Sequence, residues 1–214
     1  MNIRAKNLTA GYTKGIPAVS VDELYIAESS KINLIKGQNG AGKTTFLKAL
    51  IKALPYHSGE ITYDDLKLCE RNRNAIMNKL GFCFTTGLSY PNMTLMENIS
   101  LFQLLYKNKS QAFSEEIIEL LQIESIIDVK AGKLSLGRRK FIDFALCLMH
   151  EPEVVFLDEP TANLDATSMG IMLDAIQYLT EKKQMSFLIA TNESDHFKSF
   201  LSNEILINQV NAKI

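Results

Sequence analysis

Short apolar runs alternate with segments of helical period along most of the chain, a pattern that predicts an α/β fold with a largely parallel sheet. Residues 31–36 (KINLIK) read as a strand, and beyond the glycines that follow, Phe46, Leu47, Leu50 and Ile51 recur on one face of a helix. A second strand, helix, strand unit lies towards the other end. Residues 154–157 (VVFL) and 186–190 (SFLIA) are strand-like, and Met169, Met172, Leu173, Ile176 and Leu179 keep a helical period between them. The middle is helical. Thr94-Leu95-Met96-Glu97 has capping-box spacing ahead of an apolar face through Leu101, Leu104 and Leu105, and Ser114-Glu115-Glu116 opens another helix through Ile117, Leu120 and Leu121. Residues of about 86 to 134 are thus expected as a helical insert in the α/β core. The first 30 residues are β-rich, in residues 3–5 and 20–26, and with residues 60–63 (EITY) they predict a small antiparallel sheet. No repeat, linker or charge block divides the 214 residues, so a single domain, 1–214, is expected, with the helical insert as its subdomain.

Composition narrows the class. Hydrophobic residues make up 46% and charged residues 22%, ordinary globular values that exclude a disordered or low-complexity chain. Lys and Arg number 23 against 24 Asp and Glu, so a net charge of -1 supplies no field for a nucleic-acid backbone, and nucleic acid is not an expected partner. The longest uninterrupted apolar stretch, residues 144–149, is far short of the roughly 20 residues a membrane helix needs. No charged-then-apolar signal segment opens the chain, and the expected setting is the cytoplasm. Cys69, Cys83 and Cys147 form an odd set without paired spacing, which suggests core thiols rather than disulfides or a zinc site.

Gly37-Gln38-Asn39-Gly40-Ala41-Gly42-Lys43-Thr44 matches the pattern G-x-x-x-x-G-K-[ST] in full, with a strand before it and a helix after. Glycines let the backbone turn its amide hydrogens inward, and the helix N-terminus adds partial positive charge, so such a loop, residues 37–45 with Thr45, wraps a nucleotide's phosphates. Lys43 is placed to reach the β and γ phosphates, and the Thr44 hydroxyl is a magnesium ligand. A second carboxylate source follows from residues 154–159, where a buried strand ends in Asp158 and Glu159 at the edge where ligands sit in open α/β sheets. Asp158 would hold magnesium, and Glu159 would polarise the attacking water as general base.

With these residues in place the chain resembles the ATP-binding cassette family, the nucleotide-binding domains of ABC transporters, over nearly its whole length. Leu134-Ser135-Leu136-Gly137-Arg138 stands where that family has its signature L-S-G-G-Q, and Ser135 precedes Asp158 by 23 residues, the family's spacing. Pro160-Thr161-Ala162-Asn163-Leu164-Asp165 is similar to the family's P-T-S-A-L-D, and His57-Ser58-Gly59-Glu60-Ile61 to its S-G-E-I stretch. Tyr12, 25 residues before Gly37, matches the aromatic that stacks on adenine. A serine and glycines opening a helix turn a hydroxyl, amides and a dipole towards an anion. The resemblance implies that this anion is the γ phosphate of ATP bound to the other protomer, taken by Ser135 and Gly137, so that ATP joins a head-to-tail homo- or heterodimer.

Three positions depart from the family. Leu136 replaces the first signature glycine, and S-L-G is similar to the signature of bacitracin- and lantibiotic-type exporter subunits. Thr85 stands where the family has a metal-side glutamine; its hydroxyl can still make one hydrogen bond but is too short to span from the loop to magnesium and the attacking water as an amide can. Asn192 stands in place of the switch histidine, able to donate to a γ phosphate but not to become a cation, and His196 is expected on the surface. The resemblance implies an ATP-hydrolysing subunit with ATP and magnesium as cofactors, lying on the inner face of the cell membrane and driving a separate transmembrane permease. Two alternatives stand beside it. One is a non-transport cassette ATPase, although such chains usually carry two cassettes, coiled coils or basic extensions. The other is a nucleotide-gated regulatory subunit with weak hydrolysis, against whose complete silence Glu159 argues.

Overall fold

A computed structural model describes residues 1–13, 15–106, 110–199 and 201–207, which group into two units, one of Met1–Met77 with Ser186–Ile214 and one of Asn78–Met185. The first unit runs β1 (Ile3–Ala10), β2 (Val19–Ile26), β3 (Ile32–Lys36), α1 (Lys43–Leu50), β4 (Tyr56–Tyr63), β5 (Leu66–Lys67) and α2 (Arg73–Met77). In β1 the buried positions are Ile3 and Ala5, then Leu8 and Ala10, so the period of two slips by one residue in mid-strand. Asn7, at φ 48°, absorbs the slip, and the pairing of β1 with β4 shifts register between Lys6 and Thr9. This bulge returns the apolar side chains to one face. β1 pairs antiparallel with β2 on one side and β4 on the other, and β5 continues from β4, giving the expected small antiparallel sheet in the order β2-β1-β4-β5. Tyr63 closes it against α1: its buried hydroxyl donates to Leu50 O at 2.8 Å, and burial pushes the phenol's pKa upward.

β3 is buried on both faces and pairs in parallel with β8 (Ser186–Ala190) and β9 (Asn203–Leu206), which return to this unit at the end of the chain. A mostly apolar run is what a parallel strand covered on both faces requires, and the one buried polar side chain in β3, Asn33, donates its amide to Ser30 O at 2.8 Å. Phe46, Leu47, Leu50 and Ile51 of the α1 region are all buried, as the helical period predicts.

The second unit runs β6 (Leu80–Cys83), α3 (Leu95–Tyr106), α4 (Gln111–Leu120), α5 (Leu136–Leu148), β7 (Val154–Asp158) and α6 (Ala166–Lys182). β6 and β7 pair in parallel, with Phe82 opposite Phe156. The helical insert lies in the same unit as these strands. Its capping box forms as the spacing predicts: Thr94 N donates to Glu97 Oε2 at 2.7 Å and Glu97 N to Thr94 Oγ1 at 3.2 Å. The helix faces need correction. Leu104 and Leu105 are exposed, and α3 buries Leu95, Asn98 and Ile99 instead, because Asn98 accepts from Tyr90 N at 2.7 Å and donates to Thr94 O at 2.8 Å, fastening the preceding loop. α4 opens three residues before Ser114, capped by Ser110, whose hydroxyl accepts from Phe113 N and so lets Phe113 enter the core. Cys147 is buried while Cys69 and Cys83 are half-buried. Although part of Cys83 is exposed, desolvation around its thiol, and then the charge of Asp143, push the thiol up to about 12, which keeps it protonated.

α6 is capped by Asp165, whose carboxylate accepts from Ser168 N at 2.8 Å and Ser168 Oγ at 3.1 Å. These bonds, the backbone one first, lower its pKa. A depressed folded pKa makes the cap's contribution full above the ordinary carboxylate range and lost as pH falls through the folded value. Asp165→Ala should therefore lower the urea midpoint at neutral pH, and the gap to wild type should close in acid. A gap independent of pH would refute the capping role.

Candidate functional site

The first unit holds the phosphate loop. β3 delivers the chain into residues 37–42, where Gly40 and Gly42 take φ of 80° and 95°, and α1 begins at Lys43 with Gly42 as its N-cap. Gly42 is obligatory on two counts: its φ lies in the left-handed region, and a Cβ there would meet Ala18 O at 2.7 Å. The loop thus ends on helix amides with a glycine N-cap that makes no side-chain cap bond, the arrangement that receives an anion. Lys43 is 7% exposed, and its Nζ donates to Gly37 O at 2.9 Å, Gln38 O at 3.4 Å and Asn192 Oδ1 at 2.8 Å. Asn192, just past β8, is therefore gathered to the loop lysine, while His196 is exposed on the next turn, as expected. Thr45 is buried and Thr44 half-buried at the start of α1. Tyr12 is 65% exposed, with the Lys48 ammonium 6.0 Å above its ring.

The second unit holds the acidic pair and the signature. Asp158 ends β7 and is 5% exposed; Glu159 follows at φ 51°, a left-handed conformation uncommon for a side chain of its kind. Lys140 of α5 fixes that kink, its Nζ donating to Glu159 O at 2.7 Å and also to Ala162 O. Thr85 is exposed in the loop after β6. Ser135 caps α5, its hydroxyl accepting from Arg138 N at 3.3 Å. Leu136 is exposed beside it, and a Cβ at Gly137 would meet Leu164 Cδ2 at 3.4 Å. Cys83, Thr85, Asp143, Leu157, Asp158 and Glu159 border a cavity of about 350 Å³ in this unit.

A family model described as "ABC transporter" matches residues 22–162. The chain belongs to the ABC transporter family. It is 29% identical over 200 residues to the ABC transporter ATP-binding protein NatA of Bacillus subtilis (strain 168), spanning 91% of this chain and 80% of NatA. It is 30% identical over 226 residues to the energy-coupling factor transporter ATP-binding protein EcfA2 of Clostridioides difficile (strain 630), spanning 97% of this chain and 76% of EcfA2. Among solved structures, the dimeric post-hydrolysis state of the ATP-binding cassette MJ0796 bound to ADP and Pi superposes with a TM-score of 0.84 over 96% of this chain and 94% of that one, at 23% identity. The fold is that of an ABC nucleotide-binding domain, an antiparallel β part with a parallel α/β phosphate-loop core. As an ABC ATPase the chain binds ATP, hydrolyses it to ADP and phosphate, and energises a transporter.

Two residues of this ABC subunit, Lys140 and Asp143, have structural roles that the sequence pattern does not assign. Asp143 had a signal, a carboxylate at an inward helical position between Phe141 and Phe144. Lys140 had none, since a lysine on a helix is ordinarily a solvated one.

Proposed function

We propose that this subunit binds magnesium-ATP as one half of a cassette dimer, hydrolyses it slowly when alone, and drives a separate transmembrane permease from the cytoplasmic face of the membrane. In this proposal residues 37–45 and Lys43 take the phosphates, Tyr12 lies against the base, and Thr44 and Asp158 hold magnesium, with Thr85 contributing a short third contact. Glu159 polarises the attacking water, Asn192 donates to the γ phosphate, and Ser135 and Gly137 face the nucleotide of the partner protomer. The two units act together as one ATP-binding domain with residues of about 86 to 134 as its helical part.

The observation that carries the proposal is the 2.8 Å bond from Lys43 Nζ to Asn192 Oδ1. It sets the residue at the switch position beside the lysine that meets the β and γ phosphates, so a rotated Asn192 amide would donate to the same oxygens. The donor set fits magnesium, since hydroxyl and carboxylate oxygens are hard ligands. Among the described residues no cluster of three or more His, Cys, Asp or Glu could hold a metal ion. Bound there, magnesium would neutralise phosphate charge. Among the described residues no helix is long and apolar enough to cross a membrane. The Ser135-Leu136-Gly137 signature supports a kinship with bacitracin- and lantibiotic-type exporter subunits.

Losing one charge-stabilising contact typically slows a reaction by about 10² to 10³, and Asn192 retains part of its contact. Steady-state ATPase activity of Asn192→His should therefore exceed that of wild type by about tenfold when each is assayed alone, and the difference should shrink with a candidate permease present. Fast turnover by the lone wild type, with no gain from histidine or permease, would show Thr85 and Asn192 to be adequate replacements.

A further inference from the structure

Asp143 is 6% exposed on the inward face of α5, and its Oδ1 accepts from the backbone N–H groups of Leu88 at 2.9 Å and Ser89 at 2.8 Å. Those two residues immediately follow a tight turn in which Gly87 N donates to Phe84 O at 3.0 Å, with Thr85 and Thr86 at its corners. One end of the turn continues from β6; the other is tied to Asp143. Gly87 and Asp143 fit as a pair. Gly87 has φ of 75°, and a Cβ there would lie 2.9 Å from Asp143 Oδ2, so the turn approaches the carboxylate as closely as only glycine permits. The turn also borders the 350 Å³ cavity, so close packing does not by itself hold it on that side. Two charge-assisted bonds from one buried carboxylate are the stronger constraint.

We propose that Asp143 is a positioning residue for ATP hydrolysis: through the backbone of Leu88 and Ser89 it sets where Thr85 stands relative to Asp158 and Glu159. The proposal rests on the hydrolytic role given above to Thr85. Because α5 also carries Ser135 as its N-cap, the same tie makes the Thr85 turn travel with the signature helix. Asp143 touches no nucleotide in this scheme, so its loss changes turnover and spares affinity.

The test compares Asp143→Ala, Asp143→Asn, Gly87→Ala and Thr85→Ala in the full chain. Turnover is measured with enzyme in excess over ATP, affinity with a fluorescent ATP analogue, and amide exchange across residues 85–89. Asp143→Ala should lose about 10- to 100-fold in turnover, as misplacement of a positioned group does, keep its dissociation constant within about twofold, and exchange the Leu88 and Ser89 amides faster. Asp143→Asn should recover most of the turnover, because its amide oxygen accepts the same two N–H groups. Gly87→Ala, which displaces the turn while leaving α5 intact, should copy Asp143→Ala and keeps the test open if that variant does not fold. Wild-type turnover in Asp143→Ala or Gly87→Ala, a matching loss of affinity, or an Asn variant as poor as Ala overturns the proposal. Unchanged turnover in Thr85→Ala overturns instead the role of Thr85 on which it stands.

Discussion

Lys43→Ala should remove most nucleotide binding, by at least about 100-fold in the dissociation constant. A hydrogen bond to a charged group contributes about 1.5 to 3 kcal/mol, and a lysine reaching two phosphates forms two of them. Each 1.4 kcal/mol is tenfold, so the loss lies between about 100-fold and about 20,000-fold. The structure adds a reason to expect the upper part of that range. Lys43 Nζ is held by Gly37 O, Gln38 O and Asn192 Oδ1, so its ammonium is already fixed beside the loop before any ligand arrives. Its ordering cost on binding is correspondingly small. Alanine removes the charge and also leaves those oxygens to water, so a thermal melt should accompany the titration. An intact fold that binds a fluorescent ATP analogue with wild-type affinity would end the assignment of residues 37–45 to phosphate.

The parts of the molecule governed by strict periodicity were legible in the sequence. β3, β7 and β8 are short, mostly apolar runs because both faces are covered, with Asn33 a buried polar exception in β3, and Phe46, Leu47, Leu50 and Ile51 mark the buried side of α1. The phosphate loop was legible because its glycines answer to backbone geometry that admits little else. What period could not convey was the side a surface helix presents. α3 has apolar residues at Leu101, Leu104 and Leu105, yet it buries Asn98, whose amide closes a loop in a way no hydrophobic pattern encodes. Ser110 and Ser114 both had cap chemistry, and Phe113 decided between them by entering the core. Lys140 and Asp143 lay hidden because their partners are backbone atoms of distant loops, which leave no trace in side-chain spacing. The positive φ of Glu159 was equally invisible, since glutamate gives no sign of a left-handed backbone.

That backbone makes Glu159→Gln a clean experiment. The position of residue 159 is set by β7 on one side and by Lys140 bonding to its carbonyl on the other, and neither depends on the side chain being charged. Gln keeps the volume and reach of Glu but cannot accept a proton, so the substitution removes general-base chemistry and leaves the surroundings in place. General-base catalysis contributes about 10² to 10⁴ to a rate, and a loss of that size is expected in ATP turnover with little change in affinity for ATP. If hydrolysis is what opens the proposed ATP-joined dimer, the variant should also persist as a dimer on size-exclusion chromatography in magnesium-ATP, under conditions where wild type elutes mainly as monomer. The two readouts separate chemistry from assembly. Slow turnover without a lasting dimer would leave Glu159 as the base and remove ATP as the adhesive. Turnover at the wild-type rate would mean that another group activates the water.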